Sequence, residues 1–270
     1  MPKVASNMNP RLAVVYTTLN SMRTIEQSIR SALAITDWII VVDSGSTDGT
    51  VQACSALGAQ VHHQDWLGFA RQKQHAIDLA GEADWILLLD SDEILEPRLV
   101  DSVRQVVSGG GAGIDAWEMD RHLWYEGGYL RICRPDRVVR LFRRGSARMP
   151  IAGGVHRDLL QVRGRTGRLD GWARHESWAS LEDALVRNIR YAAMASREPN
   201  QRTSLAKIAI NGPWAFVRAY ILQGGALDGM RGLEASLALA VATTCKHLLI
   251  ASNRRARTRL TPPARPSSVR

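Results

Sequence analysis

Four short strand-like runs, three of them apolar and each leading into a helical pattern, constrain this chain more than any other feature. Residues 12–17 form a β-branched run after Pro10, and residues 38–42, 59–63 and 85–89 repeat the theme. The longer runs are continuously apolar, without alternation, as expected of strands covered on both faces. Between and after them, residues 21–34, 50–57, 69–80 and 97–107 carry helical patterns. In the first, Met22, Ile25, Ile29 and Leu33 share one face. Strand and helix in alternation predict an α/β fold, with a mainly parallel sheet flanked by helices. In such sheets ligands bind beyond the carboxyl ends of the strands.

Two acidic loops fall at those ends. The second strand runs into Asp43-Ser44-Gly45-Ser46-Thr47-Asp48-Gly49, rich in turn and capping residues. Asp43 is placed to accept a hydrogen bond from a base or ribose; the plainer reading is a well-capped strand-to-helix loop. The fourth strand runs into Asp90-Ser91-Asp92. Strand alternation would point Asp90 and Asp92 to one side, where two carboxylates suit a hard cation, Mg²⁺ or Mn²⁺, bridging a diphosphate. The plainer reading is a strand leaving the core for solvent.

Charge narrows the partners. The formal net charge is +9, with 35 Lys and Arg against 26 Asp and Glu, so anionic ligands, phosphorylated substrates or anionic membrane are favoured. No helix-turn-helix, zinc or RNA-binding motif accompanies the charge, and nucleic acid is not an expected partner. Arg137, Arg140, Arg143 and Arg144 are candidates to meet a phosphorylated acceptor, or form a solvated strand edge. Cys54, Cys133 and Cys245 are odd in number and far apart, which reads as free thiols in a reducing compartment. Residues 1–11 lack the apolar run of a secretory signal, so the expected location is cytoplasmic.

Residues 108–113 are a glycine-rich connection, and from 116 to 144 the pattern turns irregular apart from a strand at 138–142. Residues 181–196 read as a helix, and 205–251 as apolar helix broken at Gly212-Pro213 and Gly224-Gly225. Residues 233–251 approach the length of a membrane span but contain Glu234, Lys246 and His247. Trp214, Phe216, Tyr220 and Leu222 with Arg218 resemble an interfacial helix. A basic tail with Arg254, Arg255, Arg257 and Arg259 follows. The expectation is peripheral attachment to the inner face of the membrane; a helical subdomain packed on the core is the competing one.

Motif order adds a resemblance. Val15-Tyr16-Thr17-Thr18-Leu19-Asn20, Val41-Val42-Asp43-Ser44-Gly45-Ser46-Thr47-Asp48 and Leu88-Leu89-Asp90-Ser91-Asp92-Glu93 look like family 2 glycosyltransferases. Asp65-Trp66-Leu67-Gly68-Phe69-Ala70-Arg71-Gln72-Lys73 resembles the lipopolysaccharide-core β-1,4-glucosyltransferase subgroup. So does Val138-Val139-Arg140-Leu141-Phe142-Arg143-Arg144-Gly145, with Gly154-Val155-His156 after it. The resemblance spans residues 11–250.

It implies a GT-A fold, a UDP-sugar donor with UDP-glucose first, inversion at the anomeric carbon, and a lipid-linked or lipopolysaccharide acceptor. Polyprenyl phosphate or capsule is the alternative acceptor. By the resemblance, Thr17, Asn20, Asp43, Arg71, Lys73 and Asp90 would line the nucleotide and diphosphate. Asp92 would hold the metal, with Asp90 near it, and His175 would approach from Arg174-His175-Glu176. The subgroup's Val-His-Glu reads Val155-His156-Arg157-Asp158 here. The lost Glu leaves the general base open among Asp158, Asp136 and His156, with Asp158 preferred. It also admits a non-catalytic nucleotide-sugar-binding protein. The expected organisation is a disordered 1–10, a GT-A domain at 11–200, a membrane-associated helical extension at 201–252, and a disordered basic tail at 253–270.

Overall fold

A computed structural model describes residues 10–150, 159–198 and 201–260, with the side chains of 257–260 left out of the description. The chain order is β1 (Leu12–Thr18), α1 (Ile25–Leu33), β2 (Ile39–Asp43), α2 (Thr50–Ala56), β3 (Gln60–His63), α3 (Phe69–Leu79), β4 (Trp85–Asp90), β5 (Glu93–Leu95) and α4 (Pro97–Ser108). Then come β6 (Ala116–Tyr125), β7 (Gly128–Tyr129), β8 (Arg137–Arg143), β9 (Ala147–Arg148), β10 (Gln161–Val162) and β11 (Thr166–His175). The helices α5 (Leu181–Ser196), α6 (Leu205–Val217) and α7 (Gly229–Leu260) complete it.

The main sheet runs β3-β2-β1-β4-β8-β6-β11-β5, with β7 paired to β6. Strands β3, β2, β1 and β4 are parallel neighbours, β8 is antiparallel to both β4 and β6, and β11 is parallel to β6. The central strands are continuous apolar runs because both faces are covered. One face packs Val14, Leu87 and Leu89 against Ile25 and Ile29 of α1 and Leu99 and Val103 of α4. The other packs Val15, Ile86 and Leu88 against Ala76 and Ile77 of α3. Each fully buried Leu or Ile here contributes about 1.5–3 kcal/mol relative to exposure. Cys54 lies in the first of these cores; burial pushes its thiol up to about 11, so it is inert at neutral pH.

The eight elements read from residues 12–107 are present with ends shifted by a few residues at most. The largest shift is α1, which starts at Ile25 and not at residue 21. The N–H groups of Asn20, Ser21 and Met22 are captured by Ser46 Oγ (2.8 Å), Thr50 Oγ1 (2.8 Å) and Asp48 Oδ2 (3.0 Å). Those three residues therefore cap the neighbouring loop, and the first turn expected of α1 becomes part of the binding edge.

Two ten-residue strands, β6 and β11, were not apparent in the sequence pattern, nor was β5. In β6 the run Glu118, Asp120, Arg121, His122 conceals the alternation with polar side chains. In β11, Gly167 and Gly171 interrupt it. Gly171, at φ +90°, sits in an irregularity of the β6–β11 register; a Cβ there would meet the Leu99 backbone nitrogen at 2.5 Å.

The chain divides into two compact units. The first comprises residues 1–129 and 133–177, the second residues 130–132 and 178–270. The helical unit thus begins at Trp178, so α5 belongs to it and not to the sheet-bearing unit expected to extend to residue 200. Helix α6 runs through Gly212-Pro213 without stopping and continues as a π-helical turn, Arg218–Leu222. The break falls at Gly224-Gly225, where Gly224 takes φ +80°.

Candidate active site

Strand direction brings the candidate residues to one edge of the sheet. Thr17, Thr18, Asp43 and Asp90 lie at the carboxyl ends of parallel β1, β2 and β4, with Thr17 paired to Asp90 and Thr18 to Asp43. Strand β11 runs in the same sense as β4, so His175 at its end reaches that edge too. Strand β8 runs oppositely, which brings Asp136, just before its first residue, to the same place.

Asp43 is buried and its acceptor capacity is filled within its own loop. Oδ1 accepts from the Thr18 hydroxyl (3.0 Å) and the Ser46 hydroxyl (2.5 Å); Oδ2 accepts from the N–H groups of Gly45 (2.9 Å) and Ser46 (2.8 Å). Burial alone would raise its pKa, but these donors hold the carboxyl below the usual range. Its role in this structure is to shape the loop. Asn20, at φ +50°, receives the Thr47 N–H on Oδ1 (2.9 Å), which ties the two loops together. Thr17 is half-buried, and Arg71 is exposed on the first turn of α3.

Asp90 and Asp92 part company. Strand β4 ends at Asp90, so alternation does not carry to Asp92, and the expected shared side is corrected. Asp90 turns to α3 and β8, where Lys73 Nζ lies 2.7 Å from Oδ1 and Arg140 Nη2 lies 2.5 Å from Oδ2. Burial opposes ionisation, yet Arg140 and then Lys73 hold this carboxyl well below its ordinary range. In this structure Asp90 is a charge partner of those two cations. Asp92 instead faces His175, with 3.6 Å between Oδ1 and Nε2. The Glu176 N–H donates to the Asp92 carbonyl (2.9 Å), which fixes the approach of the two segments.

Glu93 and Arg121, neither of them a candidate from the sequence, join Arg140 in a buried ionic network. Glu93 is fully buried and accepts from Arg140 Nε (3.1 Å) and Nη2 (2.6 Å), from Arg121 Nη1 (3.0 Å), and from the Asp90 N–H (3.0 Å). Arg121 also reaches Asp136, 3.0 Å from its carboxylate. Burial works against all three charges, but Arg140 holds Glu93 down, and the carboxylates hold Arg121 and Arg140 above their ordinary values. Lys73, Arg121 and Arg140 are thereby matched by Asp90, Glu93 and Asp136. Glu93 follows the Asp-Ser-Asp triplet directly, a signal present in the sequence; Arg121 had none.

The basic stretch is corrected in the same way. Arg140 is buried in this network. Arg143 stacks over Trp85 at 4.5 Å and donates to the carbonyls of Ile114 and Gly110, and Arg144 donates to the Gly81 carbonyl (2.6 Å). These three are structural groups; Arg137 stays exposed, 4.0 Å from Asp120. His156 and Asp158 lie outside the described residues, as do residues 1–9 and 261–270.

The sequence profile of glycosyl transferase family 2 matches residues 13–155, more than half of the chain and the whole of this edge up to β9. The chain belongs to that family. An uncharacterized glycosyltransferase of Rickettsia prowazekii is 27% identical over 252 residues, covering 86% of this family member and 84% of the relative. The lipopolysaccharide core biosynthesis glycosyltransferase LpsC of Rhizobium meliloti is 27% identical over 213 residues, covering 75% and 78%. Among solved structures, the mannosyltransferase PcManGT of Pyrobaculum calidifontis, in complex with GDP-Man and Mn²⁺, aligns over 92% of this chain and 89% of its own. At 14% identity and a TM-score of 0.54, that likeness establishes the shared GT-A fold. This glycosyltransferase thus carries the expected architecture, a mostly parallel sheet flanked by helices.

Asp92 and His175 are two side chains that could contribute ligands to a divalent cation. Both side chains are partly exposed, at 21% and 18%, and offer one carboxylate oxygen and one imidazole nitrogen. That mixed set suits Mn²⁺ better than the all-oxygen preference of Mg²⁺. Among the described residues no group of three potential ligands gathers, so donor oxygens and water would complete the shell.

Proposed function

We propose that this glycosyltransferase inverts the anomeric centre while moving a hexose, glucose first, from a UDP-sugar to a lipopolysaccharide-core or related lipid-linked envelope acceptor. One observation carries the metal-dependent reading. The three cations nearest Asp90 are already matched by three carboxylates, while Asp92, two residues farther along the chain, faces His175 at 3.6 Å. A diphosphate arriving there needs further positive charge, and the Asp92–His175 pair is built to hold it. The cation, when bound, neutralises charge on the departing diphosphate. LpsC supports the acceptor class by its similarity, and PcManGT, solved with Mn²⁺, supports the cation.

The chain's own groups do the rest. Asp43, Ser46 and Asn20 keep the β1 and β2 loops in one conformation under the nucleoside. Exposed Arg71 lies on the helix that also supplies Lys73. In the displacement, the acceptor hydroxyl oxygen bonds to the anomeric carbon as the bond to the diphosphate oxygen breaks, the electron pair leaving with UDP. The hydroxyl proton passes to a carboxylate base. Asp158 is our assignment, because Asp136 is engaged by Arg121.

Calorimetric titration with UDP-glucose tests the reading. Binding in Mn²⁺ that disappears in EDTA is expected. Equal binding in EDTA would remove the metal from the donor site, and binding of another nucleotide sugar in preference to UDP-glucose would replace the donor.

A further inference from the structure

The helical unit carries an exposed apolar face on which no side chain among the described residues is packed. Along α6 and its π-helical continuation, Ile210, Trp214, Ile221 and Leu222 are exposed. Leu227 and Met230 continue the run past the turn, and all six are between 54% and 75% exposed. Ile210, Trp214 and Ile221 follow helical spacing, so this is one side of an 18-residue helical segment about 27 Å long. Phe216 and Tyr220, which the sequence placed beside Trp214, belong to the other side; they stack on each other at 5.2 Å and are half-buried.

The charge along α6 and the turn after it is mostly of one sign, with Arg231 and the half-buried Glu234 following at the Met230 end. Residues 201–230 contain Arg202, Lys207 and Arg218 against the single acid Asp228. Asp228 is buried and taken up by Arg131, whose backbone N–H donates to it at 2.7 Å and whose guanidinium pairs with it. The exposed surface is therefore apolar with a cationic rim. Lys207 and Arg218 are long enough to reach headgroups while their stems lie along lipid. Trp214 sits mid-segment, where an indole favours the boundary between water and acyl chains.

We propose that this face lies in the plane of an anionic bilayer, with Ile210, Trp214, Ile221, Leu222, Leu227 and Met230 entering one leaflet and Lys207 and Arg218 meeting its headgroups. Helix α7 offers a different route to a membrane. The helical segment Gly225–Ala256 is long and apolar enough to cross one, and 22% of its most apolar stretch is buried. Its packing argues for the surface mode. His247 is within hydrogen-bonding distance of Asn211 (2.7 Å) and Thr203 (3.1 Å), and a Cβ on Gly212 would come within 2.0 Å of Thr244 Oγ1. Helices α6 and α7 are thus one close-packed pair with polar groups between them, suited to lying on a membrane together. The proposal stands apart from the donor and acceptor assignments.

Flotation of the purified full chain with vesicles of phosphatidylglycerol and phosphatidylcholine, against phosphatidylcholine alone, is the test. The chain is expected to float with the anionic vesicles. A Trp214→Ser, Ile221→Ser, Leu222→Ser variant should lose binding by about tenfold or more, since each apolar side chain withdrawn from lipid forfeits a sizeable transfer energy. Lys207→Glu with Arg218→Glu should remove the dependence on anionic lipid and its sensitivity to salt. Urea midpoints of both variants, unchanged from the parent chain, show that they are folded without reference to the donor reading. Three results overturn the proposal. They are no flotation of the parent chain, flotation unaffected by either variant and resistant to alkaline carbonate (which would place α7 across the bilayer), or a serine variant that only converts a dimer to a monomer.

Discussion

Asp92 and Asp90, two residues apart, illustrate how local geometry divides like groups into unlike tasks. Asp90 ends a strand and is held by Lys73 and Arg140; Asp92 leaves the strand and meets His175. Replacing Asp92 with Ala should lower Mn²⁺-dependent transfer on the order of 100-fold or more, because charge on the leaving diphosphate goes unneutralised. Stability should be little changed, which urea denaturation would verify; full turnover in that variant would eliminate the pair as the cation site. Asp158→Asn should leave UDP-glucose binding intact while lowering transfer on the order of 10²–10⁴-fold, the scale of a lost general base. If Asp136→Asn shows that pattern and Asp158→Asn does not, the base is Asp136.

Among elements, the weightiest are those the hydrophobic pattern conceals. Strand β6 brings Arg121 to Glu93, and β8 brings Arg140. Removing the Glu93 carboxylate leaves two buried guanidinium groups short of a partner. Glu93→Ala should therefore destabilise the protein by about 3–5 kcal/mol, read from the urea midpoint. A loss under 1 kcal/mol would mean the network relaxes into solvent. In the helical unit, Gly232 permits α7 to start against the preceding turn; a Cβ there would lie 1.8 Å from the Gly225 carbonyl oxygen. Gly232→Ala should cost about 1–3 kcal/mol, the range of overpacking, and the drop in melting temperature measures it.

At the scale of the whole molecule, acid sensitivity follows from the carboxylates. Asp43, Asp90 and Glu93 all have folded pKa values below their unfolded ones, near 4. The unfolded chain then binds more protons as pH falls, so their stabilisation is complete above about pH 5 and declines progressively below it. The urea midpoint should be flat from pH 7 to about 5 and drop steeply from about 4 to 3. Asp90→Asn should shallow that drop; an unchanged slope would show that the network does not couple to folding. The two units differ in kind here. The sheet unit holds the named acids, while the helical unit presents apolar and basic surface, so the proposed catalysis and the proposed attachment are open to separate mutation.

The chain's alternation of apolar runs and helical faces determined the parallel half of the sheet, its helices, and the edge that carries the candidate site. Those features are local, because burial on both faces writes itself into consecutive residues. The acidic loops and their order were legible for the same reason, and so was the family. What the tertiary structure decided is which charges meet. Arg121 lies 28 residues from Glu93, and His175 is brought to Asp92 by β11 pairing antiparallel with β5, where His175 lies opposite Glu93. Pairing across that distance depends on strand order and direction, which a one-dimensional pattern does not encode. The polar residues that make the network also hid the strand that carries it. The unpacked side of α6 is decided likewise: the sequence offered Trp214, Phe216, Tyr220 and Leu222 together, and only packing turned two of them inward and left two exposed.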